Sequence, residues 1–161
     1  RNYGQSVKYH HPVAGENCRL DGLQAAILHA KLGLLDAWNE QRQRVALRYC
    51  EALKDSAVLA PPADQVPRSV WHLFVVQVED REGFQAHLRQ HGVETGIHYP
   101  VPIHLQPAYS HLGHSRGDFP VAESLAQRIV SLPIYPEMTE AQIEAVIDAV
   151  LSWSPAPISR R

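Results

Sequence analysis

The sequence predicts an α/β chain in which two amphipathic helices lead into a small sheet layered with helices. Three observations carry that expectation. Apolar residues recur at helical spacing through Leu20, Leu23, Ile27, Leu28, Leu32 and Leu35, then through Trp38, Val45, Tyr49 and Leu53. β-forming residues crowd two later stretches, Ser69 to Val78 and Val93 to Tyr99, with a helical pattern between them. A long loop rich in Pro and His then leads to a further helix, a short strand and a last helix.

Each element has its own warrant. Residues 1–14 show no period and are punctuated by His10-His11-Pro12, so they read as loop. Asp21 or Asn17 is the expected cap of the first helix, Gly33 weakens its middle, and a bend is expected near Leu35-Asp36. The second helical pattern runs to about Lys54, and the prolines at 61, 62 and 67 mark a linker after it. Ser69 to Val78 reads as a strand covered on both faces. Asp80 caps a short helix through Phe84 and Leu88 that stops at Gly92, and Val93 to Tyr99 is the second strand. Residues 100–117 form the loop. Val121, Leu125, Ile129 and Val130 mark the next helix, with Ser131 to Tyr135 as an edge strand. Thr139 and Gln142 make a capping box for a helix carrying Ile143, Val146, Ile147, Val150 and Leu151, and a frayed tail follows from Ser154. The result is a sheet of about three strands with helices on one face. It is too small to cover the two leading helices, which implies a missing domain or a partner subunit.

Bulk properties narrow the function. A net charge of -2 gives no electrostatic case for nucleic acid or an anionic membrane, and no apolar run reaches the ~20 residues of a membrane span. Cys18 and Cys50 form no metal-ligand pair and read as free thiols of a reducing cytosol. The chain begins at Arg1 without a methionine, and is expected to be a fragment or a processed piece.

The ten histidines invite a metal reading, but none is expected. No carboxylate joins His87 and His91, or His111 and His114, at a metalloprotease spacing, and His87 and His91 read as solvent-facing. There is no nucleophile elbow, no phosphate loop, and no lysine other than Lys8, Lys31 and Lys54. Two segments remain. Gly15-Glu16-Asn17-Cys18-Arg19 runs polar and turn-prone into a helix start, where backbone N–H groups with an amide and a guanidinium suit a phosphate or carboxylate. The plain alternative is a cap beside a solvated charge. Gly96 to Tyr109 gathers imidazoles and phenols where a strand ends, a frequent place for binding groups. Here the plain alternative is that Tyr99 and Tyr109 pack while prolines stiffen the loop.

Together the motifs Gly15-x-Asn17-x-Arg19-Leu20, Leu23-Gln24-Ala25-Ala26, His98-Tyr99-Pro100-x-Pro102-x-His104-Leu105-Gln106-Pro107-Ala108-Tyr109 and Ser131-Leu132-Pro133-Ile134-Tyr135-Pro136 form one ordered series. That series resembles the C-terminal portion of the nucleotide-sugar aminotransferases of the DegT/StrS group, which depend on pyridoxal 5'-phosphate (PLP). The resemblance implies the C-terminal part of an aspartate-aminotransferase-like (type I) fold. Residues 1–35 would end the large PLP-binding domain, 36–153 would form the small domain, and 154–161 a tail.

It further implies a cytoplasmic homodimer with its site shared between subunits. Asn17 would reach the cofactor phosphate of the other subunit, and Arg19 would order that segment or the interface. His98, Tyr99 and His104 would lie near the sugar nucleotide, with His104 in direct contact. The amino donor would be an amino acid, by inheritance glutamate, and the setting polysaccharide or antibiotic biosynthesis. The Schiff-base lysine is expected upstream of Arg1, so these residues alone are expected to be inactive. A sugar dehydratase of the same fold, or a binding module without catalysis, are the alternatives.

Overall fold

A computed structural model describes residues 2–154, which fall into two compact units that divide after Ala37. The expected tail lies, apart from Ser154, in residues 155–161, outside the described residues. Among the described residues no helix is long and apolar enough to cross a membrane.

The first unit opens with the chain folded back on itself. Asn2 pairs with Asn17, and the Tyr3 amide donates to the Glu16 carbonyl at 3.0 Å. Glycine is required on both sides of this turn. Gly4 sits at φ +66, and a Cβ on Gly15 would collide with the Gly4 backbone. Helix α1 (Gly22–Leu32) follows, and none of its side chains is buried. Asp21 occupies its cap position with extended backbone, but its carboxylate takes no N–H from the helix, so neither Asp21 nor Asn17 is a side-chain cap. The expected bend is present: a turn at Gly33-Leu34 separates α1 from α2 (Leu35–Leu53).

The second unit is built around the buried stripe of α2. Val45, Tyr49 and Leu53 pack into a core with Phe74, Phe84, Leu88, Ile143 and Val150. The Tyr49 ring meets Phe74 edge-on at 5.1 Å, and its hydroxyl donates to the Pro133 carbonyl at 3.0 Å. Burial pushes that hydroxyl's pKa up. Strand β1 (Phe74–Gln77) pairs antiparallel with β2 (Ile129–Leu132), matching Phe74 to Leu132 and Val76 to Val130. Helix α3 (Arg81–Gln90) is capped by Asp80, whose carboxylate accepts from the Gly83 amide at 2.9 Å. Helix α4 (Pro120–Arg128) runs into β2. Helix α5 (Glu140–Leu151) carries the full capping box of Thr139 and Gln142.

Four further expectations need correction. The first strand begins at Phe74, not Ser69, because Trp71 sits at φ +51 and its indole turns back to donate to the Val66 carbonyl at 3.0 Å. The second strand shrinks to one bridge, Gly96 with Ser131, and the sheet has two strands rather than three. Ile129 and Val130 lie on β2 and not on the helix before it, since pairing with β1 overrides their helical spacing. His87 is half-buried and does not face solvent: its Nε2 donates to the Ala149 carbonyl at 3.0 Å, joining α3 to α5.

Two substitutions test this core. Tyr49→Phe removes one hydrogen bond and is expected to cost about 1 kcal/mol. Phe74→Ala, which empties the centre, is expected to cost about 3–5 kcal/mol. Urea unfolding measures both, and a Tyr49→Phe loss as large as the Phe74→Ala loss would contradict this account.

Candidate functional site

Two clusters hold the residues singled out from the sequence, one in each unit. In the first unit, Asn17 is exposed, and its side-chain amide has no hydrogen-bond partner among the described residues. Arg19 is engaged: its Nη2 donates to Asn2 Oδ1 at 2.6 Å, and its guanidinium lies 5.9 Å from the Tyr3 ring centroid. The guanidinium therefore ties the two ends of the folded-back segment, and Gly15 lets the backbones approach. Lys8, Lys31 and Lys54 are all exposed.

In the second unit, the single bridge at Gly96 has a consequence for His98. The imidazole folds back over Gly96, where any added Cβ would meet the ring at 2.7 Å, and its Nδ1 lies 2.8 Å from Ser131 Oγ. The imidazole stands where a strand would carry a side chain. His98 thus lines a cavity of 460 Å³ beside β2. Tyr99, joined to His98 by a cis peptide, is 72% exposed and lines a different, mostly apolar cavity of 520 Å³ together with His104. The His98 and Tyr99 rings meet edge-on at 5.5 Å between centroids, yet they line different cavities, and only Tyr99 shares one with His104.

The loop expected over residues 100–117 contains two 3-10 turns, Ile103–Leu105 and Pro107–Leu112. What holds it is a carboxylate the sequence did not single out. Glu123, buried on the first turn of α4, accepts from the Gly117 amide at 2.8 Å and the Phe119 amide at 3.3 Å. It also faces His104 Nε2 at 3.0 Å, both side chains being at most 10% exposed. A carboxylate only accepts, so His104 Nε2 carries the hydrogen and is committed inside the chain. One of the two ring nitrogens of His104, the residue expected to meet substrate directly, is thereby occupied. The Gly117 N–H, with the His104 and Phe119 donors, holds the Glu123 carboxyl below the usual carboxylate range. Asp118 is held low chiefly by the Ser115 N–H.

One signal could have revealed Glu123. It stands four residues after the helix-cap position, one beyond the Glu position of a capping box, and accepts from that residue's amide. Because Phe119 occupies the cap where Ser or Thr is usual, the pattern is hidden. Ser131 and Gly96 were missed as supports of His98 because their roles depend on pairing across 35 residues of chain.

Comparison with known proteins gives matches that span both clusters. A family model described as the DegT/DnrJ/EryC1/StrS aminotransferase family matches residues 1–151. The chain is 49% identical over 148 residues to the erythromycin biosynthesis sensory transduction protein EryC1 of Saccharopolyspora erythraea, covering 91% of this chain and 40% of that protein. It is 43% identical over 159 residues to the dTDP-3-amino-3,4,6-trideoxy-alpha-D-glucose transaminase of Streptomyces venezuelae, covering 96% of this chain and 41% of that one. Among solved structures, S. venezuelae DesV in complex with a ketimine intermediate superposes with a TM-score of 0.83 at 42% identity, over 95% of this chain and 42% of that one. The chain thus spans about two fifths of the length of these relatives.

The depressed Glu123 carboxyl gives a signed pH prediction. Its contribution to stability is complete above the ordinary value of 4.5 and is lost as pH falls through the lower folded value. The stability difference between the wild type and Glu123→Gln is therefore expected to be largest near neutrality and to shrink in acid below 4.5. Denaturant unfolding at several pH values measures it, and a pH-independent difference would assign no role to the charge.

Proposed function

The chain belongs to the DegT/DnrJ/EryC1/StrS aminotransferase family, and from that premise we propose that the whole protein is a PLP-dependent nucleotide-sugar aminotransferase to which these residues contribute the C-terminal part. The observation that carries this reading is the family match across residues 1–151, which takes in both clusters at once. The 43% identity to a dTDP-sugar transaminase supports a nucleotide-linked keto sugar as amino acceptor. An amino acid, glutamate by family habit, is the proposed donor.

Residues 1–35 are proposed to close the cofactor-binding domain and 36–153 to form the small domain. The exposed Leu23, Ile27, Leu28 and Leu32 of α1 are then the face that the rest of the protein covers. PLP, when bound, supplies the electron sink and carries the amino group between donor and acceptor. The donor set here fits its phosphate in kind: Asn17 offers an unpartnered amide on a segment that Arg19 and Gly15 hold in shape. In a homodimer with shared sites, Asn17 serves the cofactor of the other subunit. Tyr99, exposed, is the proposed substrate contact of the second unit. His98 and His104 border the two cavities, with one ring nitrogen each held by Ser131 and Glu123.

All three lysines are exposed, so residues 1–161 alone are proposed to be inactive, with the Schiff-base lysine supplied by another part of the protein. The name of the Saccharopolyspora relative favours a second reading, a regulatory protein without catalysis.

Visible absorption of the full-length protein with added PLP separates the two. A cofactor band that borohydride fixes to a lysine outside these residues is the expected result, and its absence would favour the regulatory reading. Asn17→Ala is expected to weaken PLP binding by roughly 1–3 kcal/mol, the cost of one hydrogen bond to a charged group. Unchanged affinity would remove Asn17 from the site.

A further inference from the structure

Among the described residues of the second unit, Glu123 is the one carboxylate that is both buried and surrounded by donors. Burying an ion is costly unless its oxygens are satisfied. Here Oε1 takes the Gly117 and Phe119 amides and faces His104 Nε2, while Oε2 takes the Gly117 amide at 3.0 Å. All three donors belong to the segment from His104 to Phe119, and the acceptor stands on the first turn of α4. One side chain therefore pins both ends of that segment to a rigid helix. The same segment supplies His104 and Phe119 to the 520 Å³ cavity that Tyr99 also lines. The His104 ring packs against Phe119 at 4.7 Å between centroids, so the cavity wall and the clasp are continuous.

We propose that Glu123 is a positioning residue for the sugar nucleotide. By holding His104, Gly117 and Phe119 it fixes the wall of the cavity beside Tyr99, and it keeps the His104 hydrogen on Nε2. In a neutral ring that leaves Nδ1 as the acceptor for a substrate hydroxyl or N–H group. Glu123 itself touches no substrate. The proposal rests on the aminotransferase reading above, because it assigns this cavity to the amino acceptor.

The test uses the full-length protein with Glu123→Ala and Glu123→Gln. Glutamine can still accept from the Gly117 amide through its carbonyl oxygen, but it lacks the charge that faces His104. Three readouts are taken: hydrogen exchange over 113–119 and over α5, the visible band of bound PLP, and steady-state kinetics with each substrate varied.

Glu123→Ala is expected to speed exchange over 113–119 by about tenfold, the scale of one lost hydrogen bond to a charged group, and to leave α5 unchanged. KM for the sugar nucleotide is expected to rise about tenfold or more, while KM for the amino donor and kcat move less than about twofold. Glu123→Gln is expected to fall between, and it carries the test if the alanine variant fails to fold. The PLP band is expected to be unchanged in both. Unaltered exchange over 113–119 would overturn the proposal. So would faster exchange with an unaltered sugar-nucleotide KM, or a parallel change in both KM values. A wild-type protein with no PLP band and no transamination would instead overturn the reading of the preceding section and remove the substrate half of this proposal. The exchange measurement would then decide the clasp on its own.

Discussion

The second unit depends on one electrostatic constraint: the carboxylate of Glu123 has left water and must find its donors inside the chain. A buried carboxylate with too few N–H partners would either unfold its surroundings or take up a proton. Here the partners come from the segment that ends at Phe119, so satisfying the charge and ordering the loop are a single event. Residues 100–117 have little regular structure to hold them beyond two 3-10 turns. Their order comes from the first turn of α4, where a negative charge also meets the favourable end of the helix dipole.

The sheet shows how little pairing is needed once side chains take over. Two strands of four residues each could not stand alone in water. They stand because Phe74, Val76, Val130 and Leu132 face a core filled by Tyr49, Phe84, Leu88 and Ile143. Beyond β2 the ladder stops after Gly96, and the His98 imidazole bonded to Ser131 takes the place of further pairing. A strand cut short in this way frees a side chain that full pairing would hold in the pleat. In this fold that side chain is a histidine at the rim of a cavity.

Helices and most caps were legible in the sequence because their determinants are local, the cap expected at Asp21 or Asn17 being the exception. Asp80, the Thr139–Gln142 box and the break at Gly33 each act within four residues. The buried stripe of α2 was legible for the same reason, since helical spacing alone decides it. Strands were less legible. Trp71 leaves the pleat to satisfy its indole at Val66, and Ile129 and Val130 obey a partner more than 50 residues away instead of their own periodicity. In the site, the motif residues were legible by type, and Glu123 was not, because two of its donors are backbone amides that any sequence would supply and the third, His104, stands 19 residues away.

Hydrogen-bond satisfaction sorts the site residues by what they can still do. Arg19, with its guanidinium on Asn2, has spent part of its donor capacity on its own segment. His98 has one nitrogen on Ser131 and His104 one on Glu123, which leaves each imidazole a single free position. Asn17 and Tyr99 differ: both are exposed, and neither side chain has a hydrogen-bond partner among the described residues. An ordered but unpartnered polar group loses little on meeting a ligand, since no internal bond must break first. A partnered group contributes by geometry instead, because its orientation is already fixed. On this physical ground the proposed contacts fall to Asn17 and Tyr99, and the proposed ordering roles to Arg19, Ser131 and Glu123. His98 and His104 share both characters, each with one nitrogen held and one left for chemistry.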